Sequence, residues 1–307
     1  MRARPSTLVT AGAALAVAVA VVAFPATAQA LPEGATSVGS FDKESMPVRG
    51  HAGVGGASTS PITYHGGPVM NASTGVNAYV IWYGSWSGNT GPAIIENFLS
   101  NVGPSPYFNI NTTYNDGTAA VPNLVRLAGK TTDTGSQGTK LSDSKIKLIV
   151  SNAITKGALP NDPTGVYFVL TSKGISESSG FLTRYCGWHT HASIGGKDVK
   201  YSFVGDPTGS KISACAAQTA SSPNANPGAD AMVSVIAHEL EEAASDPDLN
   251  AWYDGSGAEN ADKCAWTFGT TYSASNGSLA NMTLGGKDYL VQQNWVASTV
   301  QACALSY

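Results

Sequence analysis

The sequence predicts a mixed α/β (α+β) domain, a mixed sheet with helices packed on it, exported from the cytoplasm and tied by two disulfides. Three observations predict it. Apolar β-rich runs and segments of helical period mix along the chain, a secretory leader precedes them, and the remainder holds an even number of cysteines.

The leader is read from its first thirty residues. Arg2 and Arg4 form a short positive region, an apolar Ala/Val run extends from about Leu8 to Phe24, and Pro25 precedes Ala28-Gln29-Ala30. That is the pattern of a signal peptide cleaved after Ala30. The apolar run is short for a membrane span, which needs about 20 residues. Loss of residues 1–30 removes two arginines and no acid, leaving 15 basic against 21 acidic residues. A nucleic-acid partner, which usually meets a basic face, is not expected, nor is a membrane span in the mature chain.

Residues 31–61 read as a flexible leader or linker, because Gly50–Pro61 is rich in Gly, Ala, Ser and Thr and shows no regular period. A single domain is expected over 62–307. Its first strand is Val76–Tyr83, ended by Gly84. Ile94, Ile95, Phe98, Leu99 and Val102 fall at helical spacing within Ala93–Val102. Asn123–Gly129 carries a short apolar pattern of neither clear period. A second helix is predicted from Ser142, as cap, to Lys156, with Asp143 at its positive end and Gly157 stopping it. Val166–Thr171 reads as a buried strand and Lys200–Val204 as an alternating edge strand. Residues 219–229 read as a loop, and a third helix spans about Asp230–Ser245 before Pro247. The tail from Tyr272 to Ala304 reads as short strands turning at Asn276-Gly277 and Gly285-Gly286.

Cys186, Cys215, Cys264 and Cys303 allow three pairings, of which the sequential one, Cys186–Cys215 and Cys264–Cys303, is preferred. An all-cysteine metal site is disfavoured, since the chain has no Cys-x-x-Cys pair.

The third helix carries the segment that points to chemistry, His238-Glu239-x-x-Glu242. Residues four apart stack on one helix face, so His238 and Glu242 can close on one ion. Glu239, beside them, would act as general base on a water polarised by that ion. The pattern is a variant of the zinc-protease helix and predicts a zincin-like metallopeptidase architecture with zinc as cofactor. By analogy with thermolysin-like enzymes, Glu259 is the expected third ligand. Asp246 competes, although a straight helix would carry it about 12 Å from His238. Asp262 is expected to orient a ligand. His189 and His191, two apart after Cys186, would share one face of a strand and offer further ligands or oxyanion contacts. The same residues also fit a solvated acidic helix face and a pair of surface histidines.

A set of segments in order resembles the EXORDIUM or phosphate-induced protein family of secreted proteins, known from plants and with bacterial members. These are His65-Gly66-Gly67-Pro68-Val69-Met70, Val80-Ile81-Trp82-Tyr83-Gly84-x-Trp86, Val169-Leu170-Thr171-Ser172, Cys186-Gly187-x-His189, Phe203-Val204-Gly205, Asp246-Pro247-x-x-Asn250-Ala251-Trp252-Tyr253, and Gly286-Lys287-x-Tyr289-Leu290-Val291 with Trp295 and Cys303. The resemblance implies an extracellular or cell-wall location and a link to growth and nutrient supply, without an established activity. It also implies a similar His-Glu-x-x-Glu segment in plant members. After Cys264 this chain lacks the Gly-rich run expected from them. Two functions are therefore expected: a secreted zinc-dependent, peptidase-like hydrolase acting on a peptide that pairs with the Tyr201–Val204 edge, or a non-catalytic binder of cell-wall polymer presenting Trp86, Trp188 or Trp252.

Overall fold

The computed structural model describes residues 42–50 and 60–307, with Met1. The signal sequence, its cleavage after Ala30 and most of the expected leader lie outside the described residues. Among the described residues no helix is long and apolar enough to cross a membrane.

The chain builds β1 (Glu44–Pro47), β2 (Thr63–Tyr64), β3 (Val76–Tyr83), α1 (Gly91–Asn101), β4 (Val125–Asp133), β5 (Lys140–Leu141), α2 (Asp143–Thr155), β6 (Gly165–Thr171), β7 (Ser176–Glu177), β8 (Tyr185–Ile194), β9 (Lys197–Gly205), α3 (Pro227–Ser245) and β10 (Trp252–Tyr253). Six strands form one mixed sheet in the order β1-β8-β9-β6-β3-β4. β4, β3, β6 and β9 run parallel, while β8 is antiparallel to β9 and β1 antiparallel to β8. Four parallel strands need helices on both faces. Alternating side chains show them: Val76, Ala78, Val80 and Trp82 enter one core with α1 and α3, whereas Tyr79, Ile81 and Tyr83 enter the other with α2. β6 divides the same way, Phe168 and Leu170 against Tyr167 and Val169.

Helix α1 buries Ile94, Ile95, Phe98 and Leu99, the stripe its spacing predicts. Helix α2 buries Ile146, Ile149, Val150, Ala153 and Ile154. Ser142 occupies its capping position, but no side-chain cap bond forms there. Helix α3 begins earlier than its apolar pattern suggests. Asn226 caps it by accepting from the Ala229 N–H at 3.1 Å, and Pro227 stands where the missing N–H costs nothing. Every residue of α3 from Gly228 to Ser245 is buried.

Two expectations are corrected here. The Tyr201–Val204 strand is not an edge: β9 bonds β6 on one side and β8 on the other. Its alternation reflects two unlike buried faces rather than one wet face. The leader is also not wholly irregular, because Glu44–Pro47 forms β1 on the far side of β8. The short pattern near Asn123 is the start of β4, an outer strand of the sheet. The tail turns as predicted, with Tyr272–Ser273 pairing Leu279–Ala280 and Met282–Leu284 pairing Lys287–Tyr289. His65-Gly66-Gly67 binds the chain beyond α3, with the His65 N–H donating to Ala251 O at 2.7 Å and the Gly67 N–H to Asn250 O at 3.0 Å.

Both disulfides have the sequential pairing, Cys186–Cys215 and Cys264–Cys303, with separations of 29 and 39 residues. Loop-closure entropy assigns each about 3.5–4 kcal/mol. Replacing Cys264 and Cys303 together by Ser should lower the unfolding free energy by that order in chemical denaturation. A loss below about 1 kcal/mol would show that the unfolded chain gains little freedom when this bond is absent.

Candidate metal and catalytic site

The core carries an uncommon load of ionisable groups. His238, Glu239, Glu241 and Glu242 on α3 are all 1% exposed or less. The solvated acidic face that the motif also fits is therefore ruled out. A helix packed on all sides has no wet face, and its charges must be answered by neighbours.

The i,i+4 spacing works as expected. His238 Nε2 lies 3.0 Å from Glu242 Oε1. The stretch after β10 supplies the acids. Asp262 Oδ1 lies 3.4 Å from His238 Nε2, and the Asp262 N–H donates to Glu242 Oε1 at 3.0 Å. Strand β8 supplies His189 from the opposite side. Its Nδ1 is 3.3 Å from Glu239 Oε2 and 3.6 Å from Glu242 Oε2, and its Nε2 is 3.7 Å from Glu259 Oε2. Glu242 thus stands between two sets of possible ligands, His238 with Asp262 and His189 with Glu259. Asp262, expected to orient a ligand, is the carboxylate beside His238. Glu259, the expected third ligand, faces His189.

Part of the centre is left without hydrogen bonds. His238 Nε2, His189 Nε2, Glu242 Oε2 and Glu259 Oε2 are buried without a hydrogen bond among the described residues. Ligand atoms around tetrahedral zinc, with bonds of roughly 2.1 Å, lie about 3.4 Å apart. The contacts above bracket that value. Two imidazoles among carboxylates favour zinc or a related transition metal over calcium or magnesium, which take oxygen ligands.

Without an ion, the groups disturb one another. Burial lowers the His189 imidazole, but hydrogen bonding to Glu239 and Glu242 outweighs it and holds it at about 10. Burial raises Glu242, yet His238 and His189 pull it down to about 2. Glu239 is pushed up to about 7, chiefly by burial and against the pull of His189. Burial, then the Asp246 and Glu242 charges, raise Glu259 well above the carboxylate range, and burial with Glu242 lifts Asp262 to about 6. Five carboxyl groups, including Glu44, surround two imidazoles here, and the charge of a sixth, Asp246, is felt from the end of α3. A divalent cation would relieve that imbalance.

Not every expected residue converges. Asp246 is fully engaged at the end of α3, where it accepts from the N–H groups of Asn250, Ala251 and Trp252 at 2.6, 2.7 and 3.2 Å. It fixes the turn rather than reaching toward His238. His191, two residues along β8, leaves the core and pairs with Asp198 at 2.8 Å; Lys200 also bonds Asp198, at 2.6 Å, and lies 3.1 Å from Asp248. That half-exposed cluster already contains its cation. Trp188 is 1% exposed and packs on Tyr201 and Phe203, so it offers no open stacking surface.

Three contributors escaped the sequence pattern. Gly187 lets α3 approach β8, since a Cβ there would meet Val235 at 2.5 Å and Glu239 Oε1 at 3.1 Å. Glu241 turns away from the others, and its Oε2 accepts from Asn111 at 2.6 Å and also from Asn294. Glu44 enters from β1, and burial with the Asp262 and Glu242 charges raises it well above the carboxylate range. No periodicity marks a single glutamate in a Gly-rich leader as part of a site.

A disulfide-tied α/β protein with a buried histidine–carboxylate centre is the class defined by these features. The chain belongs to the phosphate-induced protein 1 family: the model of the phosphate-induced protein 1 conserved region matches residues 62–295. It is similar to protein EXORDIUM-like 5 of Arabidopsis thaliana, 31% identical over 290 residues that cover 81% of this chain and 79% of the relative. It is also similar to protein EXORDIUM-like 3 of the same plant, 30% identical over 279 residues, covering 78% and 82%. No solved structure matches, so the expected zincin-like architecture has no structural neighbour behind it.

Glu241 should be a structural acid. Glu241→Ala leaves two buried Asn amides without their acceptor, at about 1–3 kcal/mol each. Thermal unfolding should show a clear fall for Glu241→Ala and a smaller one for Glu241→Gln, which keeps a carbonyl oxygen. Equal falls would mean that the negative charge, not the acceptor, matters.

Proposed function

We propose that the protein is a secreted, zinc-dependent hydrolase of peptidase type. His238, Glu242 and Asp262 hold the ion from one side of the Glu242 carboxylate, with Glu259 and His189 facing it from the other. The observation that carries this reading is a pair of buried histidine–carboxylate triads that share Glu242, His238 with Asp262 and His189 with Glu259, in which both imidazoles and two of the carboxylates keep an atom without a hydrogen bond. Family membership and the disulfides are compatible with action outside the cell.

Zinc supplies Lewis acidity, polarising a carbonyl and acidifying a water at neutral pH. The chain's own groups do the rest. Glu239 Oε2 takes the proton from the attacking water, the water oxygen bonds to the carbonyl carbon, and the proton passes to the departing amine as the C–N bond breaks. His189, 3.3 Å from Glu239 Oε2, holds that carboxylate in place and is a donor for the oxygen on which negative charge develops. Burial of α3 on all sides excludes bulk water from both groups.

Protein purified without chelator should contain zinc at close to one equivalent per chain, and apoprotein should take it up on titration. Only traces, with no uptake, would refute the reading. Glu239→Gln should keep the metal and lose hydrolysis of a quenched-fluorescent peptide mixture by about 10²-fold or more. Asp262→Asn should weaken zinc binding by about ten-fold or more. A non-catalytic wall-binding role would emerge instead if zinc bound, no peptide were cut and an insoluble polysaccharide retained the chain.

A further inference from the structure

β1 pairs with β8, the strand that carries His189, yet it lies outside the region that the family model matches, which begins at residue 62. It runs antiparallel along β8 with Glu44 opposite His189, Ser45 opposite Trp188 and Met46 opposite Gly187. Directly opposed residues of antiparallel strands project to the same face. Glu44 therefore stands beside His189 on the α3 side, next to the proposed ligands. The Met46 N–H also reaches Glu239 Oε1 at 3.4 Å.

The other face holds a second anchor. Lys43 Nζ donates to Asp143 Oδ1 at 2.7 Å and to Ser179 Oγ at 2.6 Å, and it lies 4.7 and 4.8 Å from the ring centres of Tyr185 and Trp188. This pocket joins a carboxylate to two aromatic faces and suits a cation. Beyond β1, the Val48 N–H donates to Arg184 O at 3.0 Å, and Trp266 Nε1 donates to Pro47 O at 2.9 Å. Backbone bonds along a sheet edge with alternate side chains in pockets are how an extended peptide is bound.

We infer that the edge of β8 is a groove for an extended peptide lying antiparallel to it, with a basic side chain in the Asp143–Tyr185–Trp188 pocket, and that residues 43–48 are its tethered occupant and close the site. The closing role rests on the hydrolase reading; the peptide groove does not. A tether holds its peptide at an effective concentration in the millimolar range, enough to exclude free peptides of ordinary affinity. Displacement of this segment would leave β8, and His189 on it, as the sheet edge.

The test keeps the full mature chain and places a specific protease sequence between residues 51 and 59. The chain is cut in the presence of chelator, and a labelled peptide with the sequence of residues 42–49 is added. Fluorescence anisotropy should rise with the cut chain and not with the uncut chain. The same peptide carrying Lys43→Ala should bind about ten-fold more weakly or worse. If the cut chain takes up no peptide and the amides of residues 185–189 stay protected from hydrogen exchange, β1 is a permanent strand and the inference falls. With zinc loaded, cutting should raise hydrolysis of a quenched-fluorescent peptide mixture about ten-fold or more, and Glu44→Gln in the uncut chain should raise it part of the way. Peptide uptake with unchanged hydrolysis in a zinc-loaded chain overturns the closing role. Absence of zinc uptake with normal peptide exchange overturns the hydrolase reading and supports the groove.

Discussion

The interaction on which this structure depends is the electrostatic compensation of four ionisable side chains on a helix that water does not reach. Helix α3 is buried along nearly its whole length, and it brings His238, Glu239, Glu241 and Glu242 into the core. Each would be costly there alone. Glu241 is answered by two asparagines. The other three are answered by His189 and by acids that add negative charge as fast as the histidines offset it.

The rest of the fold positions the two walls of that centre. Parallel strands β4, β3, β6 and β9 need cover on both faces, which fixes α1 and α3 on one side and α2 on the other. β8 then reverses direction and brings His189 across from Glu239 and Glu242, and Gly187 permits the close approach. The chain after α3 is turned back by Asp246, which spends its carboxylate on three backbone N–H groups. That turn, clamped by the His65-Gly66-Gly67 segment, returns Glu259 and Asp262 to the helix. The segments that carry the resemblance are thus largely the parts that frame the centre: the His65–Met70 segment clamps the turn, the Cys186–His189 segment forms one wall, and the Asp246–Tyr253 segment ends the helix.

The disulfides support the same regions from the outside. Cys186 lies three residues before His189, and Cys264 two residues after Asp262, so each bond restrains a segment that supplies a site residue. Restraint of this kind matters where like charges oppose one another and would otherwise push the walls apart.

The sequence by itself determined the three main helices, the strand Val76–Tyr83, the tail hairpins and the pair His238 and Glu242, because each is written in a local period or turn that sterics and hydrogen bonding enforce over a few residues. It also carried a resemblance to the family whose model matches residues 62–295. Only the tertiary structure decided that Lys200–Val204 lies inside the sheet, that Asp262 rather than Glu259 stands beside His238, that His189 joins the centre while His191 leaves it, and that Glu44 arrives from the leader. Those outcomes rest on strand order and on contacts between residues far apart in the chain. A period of two says which residues share a face, but it cannot say what lies against that face.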